Sequence, residues 1–84
     1  MTDIPSINLP AHLQPGALLR HYKGGLYRVE GSCLIEATLQ AGVLYRPQQG
    51  DSCHVLWMRP ASAFDEPVNT DHGLVRRFTP VTSD

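Results

Sequence analysis

The apolar positions divide the chain near residue 17. Upstream, Pro5, Pro10 and Pro15 recur every five residues, and no apolar period survives between them. Each proline fixes φ, removes a backbone donor and biases the preceding residue toward extended structure. Residues 1–16 are therefore predicted to be an irregular, proline-containing arm. Ile4, Ile7, Leu9 and Leu13 make it unusually apolar for a tail. Two readings stay open: a terminus that frays, or an arm that packs across the domain or onto a partner chain.

Downstream the signals are those of strands. Residues 18–22 form a short run ending at Lys23-Gly24-Gly25, a pair of glycines suited to a tight hairpin turn. Residues 26–31 alternate, with Leu26, Arg28 and Glu30 on one face and Tyr27 and Val29 on the other, as in a half-buried strand. Residues 36–46 place Leu39, Ala41, Val43 and Tyr45 on one face, and Gly42 within them predicts a bulge or bend. A polar turn at 47–51 leads into residues 53–59, the most apolar strand. Its continuous Val55, Leu56, Trp57 and Met58 imply burial on both faces, or one face in the core and one at an interface.

Pro60 ends that strand. Residues 60–66 predict a single helical turn, 3-10 in type, from which Phe64 drops back onto the core. A turn at 69–73 and a last strand at 74–78 follow. Five short strands and no longer helix define an all-β domain, a small curled antiparallel sheet or barrel over residues 17–80, with 81–84 as a C-terminal tail. The expected core is Tyr27, Val29, Val55 or Leu56, Trp57 and Phe64. Trp57 and Arg59 share a strand face, so Arg59 is expected at the core margin, braced by Asp65 or Glu66.

Length and composition narrow the function classes. Eighty-four residues make one domain. A net charge of -1 argues against a bulk DNA binder, and 42 % hydrophobic residues argue against a disordered acidic tail. No run approaches the roughly 20 apolar residues of a membrane span, and the N-terminus lacks the basic region of a signal peptide. A cytoplasmic protein without membrane contact is expected. Cys33 and Cys53 are too few for a disulfide framework and are expected to stay reduced.

Candidate chemistry is sparse. Cys53 and His54 are neighbours in a predicted strand and point to opposite faces, and His12, His21 and His72 show no ligand spacing, so neither metal nor cofactor is expected. There is no nucleophile elbow, phosphate loop or paired carboxylate motif, and a non-enzyme is expected. The strongest constellation is the turn carrying Arg20, His21, Tyr22, Lys23 and Arg28, with Arg46 nearby. Between residues 18 and 60 the local charge is +2, and six of the seven cations in the chain are arginine. Arginine binds phosphate and carboxylate in bidentate fashion and stacks on rings. These residues form the candidate binding surface for RNA or a protein. Ordinary core packing of the tyrosines with a solvated arginine rim is the competing reading. An aromatic cage of Tyr22, Tyr27, Tyr45 and Trp57 for a cationic ligand is a further one.

The order His21-Tyr22-Lys23-Gly24-Gly25-x-Tyr27-x-Val29, then Tyr45-Arg46, then Trp57-x-Arg59-Pro60-x-x-x-Phe64, then Gly73-x-x-x-Arg77-Phe78 resembles a family of small bacterial domains of unknown function. The likeness spans residues 18–79 and implies a compact SH3-like barrel, with Trp57, Arg59, Pro60 and Phe64 as a structural motif and no established activity. Where that family commonly carries His-Ser-Glu-Thr, this chain has Ile35-Glu36-Ala37-Thr38, which puts a polar site there in doubt. Three functions remain: a non-catalytic binding module acting through the turn from Arg20 to Arg28; a structural domain self-associating as a homodimer through the arm or the strand at 55–58; and a small enzyme or accessory using Cys33, Cys53 or His21.

Overall fold

The computed structural model describes residues 7–50 and 53–81. Seven short strands follow one another: β1 (Leu18–His21), β2 (Leu26–Leu34), β3 (Ala41–Pro47), β4 (Trp57–Pro60), β5 (Pro67–Thr70), β6 (Gly73–Arg76) and β7 (Phe78–Val81). Single 3-10 turns at Ala11–Leu13 and Ala61–Ala63 are the helical elements among the described residues. Five strands form one antiparallel sheet in the order β4-β3-β2-β1-β7, and β5 pairs β6 in a separate hairpin. The sheet curls into a half-open all-β barrel, the architecture expected from the strand pattern.

The β1–β2 hairpin closes where predicted. Gly24 adopts φ +103, a conformation that strains a side chain, and its N–H donates to the His21 carbonyl at 2.8 Å. Pairing then fixes the faces. Leu19 lies opposite Tyr27 and Val29 opposite Tyr45, all on the concave side. Glu30 is the extra residue of a β-bulge, because Val29 pairs Tyr45 while Gly31 pairs Leu44. The bulge expected at Gly42 is therefore in the partner strand. Gly42 instead answers a packing need: a Cβ there would come within 2.9 Å of Cys33 Sγ and 3.0 Å of Met58 Sδ. The predicted strand at 36–46 begins only at Ala41. Residues before it form a turn in which the Leu39 N–H donates to the Ile35 carbonyl and Leu39 takes φ +59.

Leu13, Leu19, Val29, Val43, Tyr45, Phe64 and Phe78 make the core, with Leu9, Ala17, Tyr27 and Ala61 packed against it. Described residues of the arm thus pack on the domain. Residues 1–6, which include Ile4 and Pro5, and the 82–84 portion of the tail lie outside the described residues, as do Asp51 and Ser52 of the polar turn. The Gly16 N–H donates to the Val29 carbonyl at 2.8 Å, and the Val29 N–H to the Ala17 carbonyl at 2.9 Å, which anchors the arm to β2. Phe64 falls from the second 3-10 turn into the core, as expected.

Three expectations fail here. Trp57 is not a core residue: it stands opposite Tyr45 at the start of β4, an edge strand, and remains 48 % exposed. Leu56 and Met58 are also exposed, because the apolar run meets solvent at the sheet edge and not a second layer. Arg59 pairs with neither Asp65 nor Glu66. The Asp65 carboxylate instead meets His12 Nε2 at 3.1 Å and accepts from Arg76 at 3.2 Å, joining the arm to the β5–β6 hairpin. The last strand predicted at 74–78 is split between β6 and β7, with Arg77 between them.

These positions separate two large rings experimentally. Phe64→Ala is expected to cost about 3–5 kcal/mol by leaving a cavity. Trp57→Ala, with half its surface already in water, is expected to cost under about 1.5 kcal/mol. Urea unfolding of both variants checks the ranking, and equal losses would return Trp57 to the core.

Candidate anion-binding site

The sequence-predicted binding residues divide between two faces. Arg28 pairs Arg46 across β2 and β3 on the convex side. Arg46 donates to the His54 carbonyl at 2.8 Å and reaches Glu30 at 3.4 Å, so its charge is already partnered. Arg20, opposite Leu26, donates to the Gly24 carbonyl at 3.0 Å and stiffens the turn. Lys23 places its ammonium 5.8 Å from the centre of the Tyr22 ring. His21 lies opposite Phe78, on the concave side with the core. By strand parity Arg20 shares the convex face with Arg28 and Arg46, whereas His21 faces the core side.

The structure gathers a different set around His21. Its ring lies 4.5 Å from Tyr22, 5.0 Å from Phe78 and 6.3 Å from Tyr27. Arg59, from the opposite edge of the sheet, sets its guanidinium 5.7 Å from the centre of the Phe78 ring. Arg77, at the crossing between β6 and β7, is held through its backbone: its N–H donates to the Glu66 carbonyl at 3.4 Å and its carbonyl accepts from Tyr22 at 2.9 Å. Nε of Arg59 and Nε of Arg77 are both buried with no hydrogen-bond partner. The ion pairs among the described residues involve neither arginine. Buried donors are nearly always paired, so two orphaned guanidinium nitrogens in one neighbourhood call for an acceptor.

Electrostatics agree with that reading. The His21 imidazole is held below its ordinary value of 6.5, first by burial and then by the positive charges of Arg77, Arg59 and Lys23. The Lys23 N–H donates to His21 Nδ1 at 3.2 Å. Nδ1 is therefore the acceptor, and the neutral ring carries its proton on Nε2. Neutral imidazole, two guanidiniums and an aromatic wall can hold an anion. Neither thiol joins them: Cys33 lies on β2 beside Gly42, and Cys53 and His54 sit in an exposed turn before β4, each cysteine a free thiol. Among the described residues, no group of three or more His, Cys, Asp or Glu is placed to hold a metal.

A groove of about 910 Å³ borders the cluster. It runs between the β1–β7 edge and the β5–β6 hairpin, with Arg20, His21, Tyr22, His72, Val75 and Arg76 along it and Asp71 as an acidic side chain in its wall. Sequence reasoning missed Arg77 as a site residue. Its signal was faint: a cation immediately before a core phenylalanine, which places it at the rim of the core.

Fold and cluster together define a small, half-open β-barrel domain with a cationic, aromatic-walled mouth. Residues 17–80 match the family described as Protein of unknown function (DUF1653), and the chain belongs to that family. A crystal structure of a DUF1653 protein from Bordetella bronchiseptica is similar, with a TM-score of 0.68 and 28 % identity, covering 84 % of this chain and 94 % of that one. No curated protein matches the chain. Among the described residues no helix is long and apolar enough to cross a membrane.

The depressed His21 value sets a pH dependence. Well above pH 6.5 the ring is neutral in both folded and unfolded chains and contributes nothing to the slope. As pH falls below 6.5 the unfolded chain takes the proton first, so stability drops until the folded value is passed. Asn at this position keeps an acceptor for the Lys23 N–H but cannot titrate. His21→Asn is therefore expected to lose less thermal stability than the parent between about pH 7 and about pH 5. Thermal melts across that range check it, and parallel slopes would contradict the assignment.

Proposed function

We propose that the domain is a non-catalytic binding module for single-stranded RNA, with a phosphate seated at Arg59, Arg77 and His21 and a base stacked on an exposed ring. The observation that carries this reading is the pair of buried, unpartnered guanidinium nitrogens beside a neutral histidine. Trp57 stands on the same face of β4 as Arg59, and Tyr22 edges the turn; both rings are partly open to solvent. Bases stack on such rings once unstacked from one another, which favours a single strand over a duplex. The overall charge of -1 also weighs against the long phosphate track of a duplex binder. The protein acts in the cytoplasm, where such strands are accessible.

Self-association is the second reading, favoured by the exposed apolar side chains of Leu56 and Met58. It predicts a dimer whose population rises with concentration and falls on Met58→Glu.

Fluorescence anisotropy with a labelled single-stranded RNA hexamer tests the first. Arg77→Gln is expected to weaken binding by about tenfold or more, the scale of a lost charge-assisted hydrogen bond. Arg28→Gln, on the convex face, is expected to leave affinity within about twofold. Equal losses from the two variants, or no binding by the parent, would overturn the reading. Capture of a protein from nuclease-treated lysate, lost on Arg77→Gln, would replace RNA with a protein ligand.

A further inference from the structure

We infer that the site recognises a phosphate monoester, the terminal phosphate of a strand or of a free nucleotide, in preference to an internal phosphodiester. This rests on the RNA reading above and specifies which phosphate the cluster takes.

Three features point to an end and not to a passing strand. The first is the floor. Below the mouth the concave face is filled: Leu13 and Phe64 have essentially no exposed surface, and the Phe64 and Phe78 rings lie 4.8 Å apart. A chain that enters beside Phe78 meets packed rings and cannot run on through the barrel. The second is charge. The Lys23 N–H donates to His21, and the Arg59 guanidinium lies 5.7 Å from the Phe78 ring that stands against His21. Arg59 and Arg77 each bury an unpartnered Nε, with no ion pair to either arginine among the described residues. An internal phosphodiester brings a single negative charge and two free oxygens. A monoester brings about -1.5 to -2 at neutral pH and three acceptor oxygens. The forked guanidiniums and the His21 Nε2–H match the larger set of acceptors.

The third is the exit. His21 and Tyr22 belong both to the cluster and to the groove under the β5–β6 hairpin. That groove is lined by Arg20, Arg76 and His72 with Asp71 in its wall, and its volume of about 910 Å³ suits a short stretch of chain. Arg59 and Arg77 do not line the groove, so a strand whose terminal phosphate sits between them would enter it past His21 and Tyr22.

The experiment compares RNA hexamers of one sequence that differ only at the ends: 5′-phosphate, 3′-phosphate, or hydroxyl at both, with adenosine monophosphate and inorganic phosphate as competitors. Anisotropy is read on the unmodified protein, so the comparison does not depend on a variant folding. A strand bearing a monoester at either end is expected to bind about tenfold tighter than the dihydroxyl strand. In Arg77→Gln this preference is expected to shrink to about twofold or less, with circular dichroism confirming the fold. Competition by adenosine monophosphate but not by inorganic phosphate assigns the site to nucleotides as well as strand ends. Equal affinity for all three strands overturns the inference and leaves the RNA reading standing. Failure of every strand to bind overturns both.

Discussion

Phe78 sits where the two ends of the sheet approach each other, and much of the molecule is arranged by what touches its ring. It begins β7, one edge of the sheet. Arg59, from β4 at the other edge, lies over its ring at 5.7 Å. Phe64 packs on it at 4.8 Å, Tyr27 at 5.7 Å and Tyr45 at 6.0 Å, while His21 stands edge-on at 5.0 Å. Among the described residues no backbone ladder joins β4 to β7, so the barrel is drawn together by side chains across the seam. Aromatic contacts of this kind contribute roughly 0.5–1.5 kcal/mol each beyond simple burial. The Arg59 side chain fills space at the same seam, its Nε buried there.

Closing a barrel with side chains has a chemical consequence. A hydrogen-bonded seam would satisfy its own polar groups. This one leaves cationic groups at the mouth, while Asp65, past the turn after β4, serves His12 and Arg76 instead. The Asp65 link also draws the arm, the turn after β4 and the hairpin to one carboxylate. Its charges are substantially exposed, so it orders these segments more than it stabilises them. Both outer strands are four residues long, and each contains a proline, Pro60 or Pro80. Short, proline-bearing edges resist pairing with a further strand.

The legible parts of the fold were those in which one face is buried and one is wet. Tyr27 and Val29 alternate with Arg28 and Glu30, and the strand pairs as that alternation requires. Lys23-Gly24-Gly25 announces its turn because few other residues tolerate the backbone angle Gly24 adopts. Phe64 was readable because a proline and a short turn leave it only one way to go. Where burial on one face did not govern, the pattern misled. The run from Val55 to Met58 looks like an interior strand, yet an edge position leaves Leu56, Trp57 and Met58 in solvent. Asn69 and Thr70 read as turn residues, although they complete β5. The cluster was least legible, since Arg59 and Arg77 are 18 residues apart and meet His21 only through sheet closure. Local charge density had pointed to Arg28 and Arg46, which one strand parity sends to the opposite face.

Leu13 has a further consequence for where this domain begins. It is 1 % exposed and contributes a whole side chain to the core, and Leu9 packs beside it. Both precede residue 17, where the family likeness starts. A fragment cut at that boundary would keep every strand of the sheet and lose part of the hydrophobic interior. The resulting void is of the size that costs about 2–5 kcal/mol when a buried leucine is truncated. For a domain with a total stability of roughly 5–15 kcal/mol, that is enough to turn a folded unit into an aggregation-prone one. The smallest autonomous folding unit is thus longer than the segment by which the family is recognised.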